Sequence, residues 1–186
     1  TYGFTPEQRE PYTLNPAPYI ADPRKGMQGY LSSEPYLVLT EADIEADVFL
    51  IADAGFTSYA TTIETMAETI EDRPEVVECF VDGSAKGWYN FLYGDNTAAR
   101  EMIKADNPEM SDDKMDYAIS KMLEWGIVDS GDALEDGIMA INPAIIQDFY
   151  DKMVEAGVIE AGLDIESSYT TQFVNDGVGM DLKPTN

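Results

Sequence analysis

The residues best suited to chemistry fall in one stretch, Gln28-Gly29-Tyr30-Leu31-Ser32-Ser33-Glu34-Pro35-Tyr36. It brings hydroxyls, a carboxylate and phenol rings close together. Tyr30 and Leu31 favour a short strand over residues 28–33, and Gly29 permits close backbone approach at its start. Ser32 and Ser33 can cap a helix beginning near Glu34, with Pro35 tolerated in the first turn. A strand, a polar turn and a helix start would place hydroxyls, free backbone N–H groups and the Glu34 carboxylate at the carboxyl end of a strand. That edge is where ligands bind in open α/β sheets. The same residues also make an ordinary capped helix start, and spacing alone leaves both readings open.

Other chemistry is bounded by what the chain lacks. It has no histidine and a single cysteine, Cys79. A Ser-His-Asp triad, a Cys-His dyad and a His-based zinc site are therefore excluded, as is an intrachain disulfide. The helical, apolar setting of Cys79 predicts a buried core thiol. With 36 acidic against 11 basic residues the net charge is −25. Nucleic acid is not an expected partner of a chain without a basic patch. The carboxylates Asp106, Glu109, Asp112, Asp113 and Asp116 lack the Gly and terminal Glu of an EF-hand loop. They read as a solvated helix start, where acidic groups suit the helix dipole. No motif singles out a carboxylate pair for hydrolysis. No cofactor, metal site or catalytic residue is expected.

The elements around this stretch divide in two. The chain of 186 residues is 44% hydrophobic, enough for a packed core. Residues 1–27 are rich in turn formers, among them Pro6, Pro11, Pro16, Pro18 and Pro23, and look like the middle of a longer fold. Residues 15–22 could form a short helix, with Asn15 as N-cap and Pro16 at its first position. The apolar run 47–52 predicts a fully buried strand. The alternating, β-branched run 60–65 predicts another, and the Gly55 joint between them reads as a hinge. From Pro74 onward helices dominate, over about 74–93, 96–105, 111–126, 130–138, 142–157 and 164–174. In the first, Val77, Phe80, Val81, Trp88, Phe91 and Leu92 follow helical spacing. No apolar run approaches the length of a membrane span.

Several motifs in order resemble a known family. They are Tyr12-Thr13-Leu14-Asn15-Pro16-Ala17-Pro18-Tyr19 and the Gln28–Tyr36 stretch, then Leu50-Ile51-Ala52-Asp53-Ala54-Gly55-Phe56 and Phe80-Val81-Asp82-Gly83-Ser84-Ala85-Lys86-Gly87-Trp88. Gly126-Ile127-Val128-Asp129-Ser130-Gly131-Asp132 and Gln172-Phe173-Val174-Asn175-Asp176-Gly177-Val178-Gly179 complete the set. Together they resemble the carboxyl-terminal half of ABC-transporter solute-binding proteins of the NMT1/THI5-like family. The resemblance implies an α/β fold of the type II periplasmic-binding kind, with two lobes, a hinge and ligand in the cleft. Such proteins are roughly twice this length. It further implies that residues 1–55 belong to the second lobe, 56–66 cross the hinge and 67–186 return to the first. The amino-terminal part would be missing or supplied by another chain.

By the same resemblance, Glu34 is the residue that hydrogen-bonds an aminopyrimidine. Ser32 and Ser33 could add contacts or simply cap the helix. Tyr30, Tyr36 and Tyr59 could stack on a flat ligand or pack internally. Asn15 could line the cleft or cap a helix. The implied function is non-enzymatic capture of a small planar nitrogenous solute, such as a thiamine-precursor pyrimidine, in the periplasm or at a lipid anchor, for delivery to an ABC permease. The alternatives are another solute, such as a sulfonate or a riboflavin-like molecule, and an enzyme related to the eukaryotic pyrimidine synthases.

Overall fold

The computed structural model describes residues 5–13, 15–22 and 24–185, so Leu14 and Pro23 lie outside the described residues. Eight α-helices follow one another among them: α1 (Ala17–Ala21), α2 (Glu34–Ala42), α3 (Ala67–Asp72), α4 (Pro74–Tyr93), α5 (Thr97–Asp106), α6 (Asp112–Glu124), α7 (Ala133–Asp136) and α8 (Pro143–Glu155). The long helices begin where local chemistry says they should. Pro74 opens α4, where a missing N–H costs nothing. The Ser111 hydroxyl accepts from Lys114 N–H at the start of α6, and Asn142 Oδ1 accepts from Ala144 N–H at the start of α8. Gly126 and Gly157, both in the left-handed region, follow the ends of α6 and α8.

Three expectations from the sequence are corrected. No β-strand forms among the described residues. Residues 31–33 are a turn, while 43–50 and 60–66 run without regular structure. Second, only the short 3₁₀ turn Glu166–Ser168 forms where a last helix was expected over 164–174. Ser167 and Ser168 there donate their hydroxyls back to the carbonyls of Asp164 and Ile165, which competes with helical pairing. Third, Cys79 is exposed, not a core thiol. The buried stripe of α4 is Val81, Ala85, Tyr89 and Leu92, and it turns Cys79, Phe80 and Trp88 outward.

The core gathers where α4 meets the later coil. Tyr89, Leu92 and Ile138 are buried together, flanked by Phe91, Tyr93, Ile119, Met122 and Met180. The coil joins α7 backbone to backbone. Gly177 N–H donates to Asp136 O at 2.9 Å, and a Cβ on Gly137 would stand 3.0 Å from Gly177 Cα. Gly137 has φ of +90°, so both space and conformation require glycine there. Residues 55–59 fasten to α8: the Phe56 and Phe149 rings meet edge-on at 5.5 Å, and Lys152 Nζ donates to Gly55 O.

Much of the chain stays in water. Its accessible surface is 13360 Å² for 20.6 kDa. A compact monomer of that mass exposes about 8,900 Å². The difference exceeds the area buried in a standard protein–protein interface, about 1,600 Å².

Candidate functional site

The Gln28–Tyr36 stretch forms a tight turn in which Glu34 is the centre. Ser33 N–H and Glu34 N–H both donate to Tyr30 O, at 2.9 and 3.2 Å, which closes the turn and starts α2. Ser33 occupies the N-cap position, yet its hydroxyl makes no capping bond. Glu34 instead curls back over Gly29, where a Cβ would lie 2.8 Å from Glu34 Cβ and Cγ. Glu34 Oε2 then accepts from Tyr30 N–H at 2.7 Å, and Oε1 accepts from the Tyr12 hydroxyl at 2.5 Å. Each carboxylate oxygen thus has one donor and keeps lone-pair capacity for another.

The other expected site residues go elsewhere. Ser32 sits within the turn, half-buried. The Tyr36 ring packs against Tyr117 of α6, with centroids 5.3 Å apart. Asn15 Oδ1 accepts from Ala17 N–H at 2.9 Å, at the entrance to α1. The Tyr59 hydroxyl accepts from Asn142 N–H at 2.7 Å, at the start of α8. Among the described residues no hydrogen bond joins Asn15 or Tyr59 to the Glu34 carboxylate. What the turn does assemble is Glu34, Tyr12 and Tyr30, with Tyr30 62% exposed. Sequence reasoning missed Tyr12 in this role, because its partner lies 22 residues away and no local pattern links them.

The Glu34 hydrogen bond, with smaller contributions from desolvation and charge, pushes the Tyr12 phenol up from 10.0 to about 12. Glu34→Gln removes the charge and is expected to return Tyr12 towards its ordinary range. An alkaline absorbance titration checks this: one late-ionising tyrosine should move earlier in the variant. An unaltered titration would mean that Tyr12 and Glu34 are not bonded in solution.

Comparison with protein-family models, with curated proteins and with solved structures finds no match to this chain.

A second polar cluster closes the carboxyl-terminal coil onto α4. Asp129, whose side chain is 4% exposed, accepts through Oδ2 from the Tyr93 hydroxyl at 2.6 Å and from Lys183 Nζ at 2.7 Å. Its Oδ1 is buried and has no hydrogen-bond partner among the described residues. Lys183 Nζ also stands 5.9 Å from the centre of the Tyr93 ring. The crevice between α4 and residues 173–178, lined by Ala85, Ile138 and Asn175 among others, measures 10 Å³, the size of one water. The acidic residues at the start of α6 meet cations of α5. Asp116 pairs with Arg100 at 2.5 Å, and Asp112 pairs with Lys104 at 3.2 Å. Among the described residues, no three acidic or cysteine side chains converge as a metal site would need. No described helix is long and apolar enough to cross a membrane.

Proposed function

We propose that this chain contributes the ligand-holding turn of an ABC-importer solute-binding protein, and that Glu34 accepts the amine edge of a small planar nitrogenous solute such as a thiamine-precursor pyrimidine. The observation that carries the reading is the carboxylate itself. It is fixed by one donor on each oxygen at an exposed turn. An exocyclic amine would donate to one of the two remaining acceptor positions, and with the ring protonated the adjacent ring N–H would donate to the other, a bidentate and charge-assisted pairing. The pre-formed bonds spare the cost of ordering the glutamate when ligand arrives. The exposed Tyr30 ring offers a flat surface beside it.

A solute bound on the exposed Tyr30 side would need an opposite wall, which polypeptide outside these residues would supply. Closure of that wall over the ligand would favour the bound state through contacts made only when closed. The protein would work in the periplasm or at a lipid anchor and hand its solute to the membrane permease. This is capture and release, with no bond made or broken in the solute.

Isothermal titration of the chain with an aminopyrimidine, with a sulfonate and riboflavin as comparators, tests the reading. Glu34→Gln should weaken aminopyrimidine binding by about 1–3 kcal/mol, the loss of one charged hydrogen-bonding partner. Equal affinity in the two proteins would remove Glu34 from the site. Preference for a comparator would redirect the solute class, and conversion of the pyrimidine would replace capture with catalysis.

A further inference from the structure

Residues 44–49 leave their backbone unpaired among the described residues: none of their N–H groups and none of their carbonyls has a hydrogen-bond partner there. The side chains nevertheless alternate as a strand's do. Ala46, Val48 and Leu50 are half-buried, while Asp47, Phe49 and Ile51 are exposed, Phe49 to 87% and Ile51 to 64%. Val48, Phe49, Leu50 and Ile51 are β-branched, aromatic or aliphatic, and they put apolar groups on both faces. That pattern belongs to strands covered on both sides. A free ladder of N–H and C=O groups flanked by apolar side chains is a template for pairing with another strand.

A second copy of this chain fits the template poorly. Antiparallel pairing centred on Phe49 would set Asp47 against Ile51 and Glu45 directly against Asp53, and parallel in-register pairing would stack every carboxylate on itself. Like charges opposite one another destabilise a sheet, and each copy carries −25. The same acidic flanks favour a partner strand with an apolar centre and basic ends.

We propose that residues 45–50 are a donor strand, added to the open edge of a β-sheet in a partner protein, whose edge strand is apolar at its centre and flanked by Lys or Arg. This pairing does not depend on what Glu34 binds.

Photo-cross-linking in the host that makes the protein tests it, with a benzophenone amino acid placed at Phe49, at Ile51, or at exposed Asp113 of α6 as the comparator. Adducts from Phe49 and Ile51 should map to one and the same peptide, absent from this chain and basic at its ends. Val48→Pro or Phe49→Pro, combined with the probe at Ile51, should lower the adduct yield at least tenfold in one of the two. Proline removes one ladder donor, and neighbouring donors point to opposite sides. The circular-dichroism helix signal should stay the same, because the segment lies outside every helix. Adducts of two copies of this chain, adducts no more abundant than from Asp113, or yields indifferent to both prolines would overturn the proposal. So would slowed amide exchange over 44–49 in the purified monomer, which would show these groups already paired within it.

Discussion

Tyr89→Ala is expected to cost about 3–5 kcal/mol, the usual range for deleting a buried aromatic ring. Tyr89 is wholly buried, and three separate parts of the chain meet on it. Its hydroxyl accepts from Ile138 N–H at 3.1 Å. Its ring stacks near Tyr93 on the same helix, with centroids 6.4 Å apart. Gly179 of the coil lies so close that a Cβ there would stand 2.8 Å from Tyr89 Cδ2. The alanine variant empties the space between α4, the Ile138 loop and the coil at once. Since folded domains typically hold only about 5–15 kcal/mol in total, this removes a large share of the stability and should lower the urea midpoint steeply. Tyr89→Phe keeps the ring and strands one buried N–H, for about 1–2 kcal/mol. Urea melts followed by circular dichroism separate the two. A midpoint for Tyr89→Ala no lower than that of Tyr89→Phe would show that this cluster does not hold the fold.

Lys183→Met should cost about 3 kcal/mol, and Asp129→Asn only about 1 kcal/mol, although both break the same ion pair. The asymmetry follows from where the two groups sit. The Asp129 side chain is 4% exposed and that of Lys183 is 36% exposed. Removing the lysine leaves a buried carboxylate whose remaining partner among the described residues is the Tyr93 hydroxyl, with one oxygen already without any there. Removing the aspartate's charge leaves an ammonium that can turn into water, and the asparagine oxygen can still accept from Tyr93. The reverse order in denaturant midpoints would place the pair's desolvated member on the other side.

The cluster also has a signature in alkali. Burial first, then the Asp129 hydrogen bond and charge, holds the Tyr93 phenol up from 10.0 to about 12. A folded value above the unfolded one means that this contribution is complete below pH about 10 and is lost as pH rises towards 12.

The helices were legible because their causes are local. Pro74, Ser111 and Asn142-Pro143 mark starts that the chain uses, and the apolar stripes of α6 and α8 face inward over most of their length. The face of α4 was read less well. Phe80 and Trp88 share its helical spacing with Val81 and Tyr89, but only one stripe could be covered, and Val81, Ala85, Tyr89 and Leu92 occupy it. The runs 47–52 and 60–65 read as strands because their residue types describe a covered, paired backbone. A strand needs a partner as well as a pattern, and none lies among the described residues.

At the site, the Glu34 turn was legible in its serine, glutamate and proline, while the Tyr12 hydroxyl that completes it reaches in from a distant, irregular segment. The Asp129–Lys183 pair spans α7, α8 and the coil, a separation at which single-residue spacing carries no signal.

The 13360 Å² left in water shapes how this chain answers temperature. Folding removes only about 55% of the surface of its extended chain, where a compact protein of its size removes about 70%. The heat-capacity change on unfolding scales with the apolar surface newly exposed, so here it is smaller than for a compact protein of the same size. A smaller heat-capacity change flattens the curve of stability against temperature. Cooling then changes the stability less, and the smaller unfolding enthalpy that accompanies less burial spreads melting over a wider interval. Covering the remaining apolar surface would sharpen that transition, so that the steepness of the melt itself reports how much of the chain's surface has found its place.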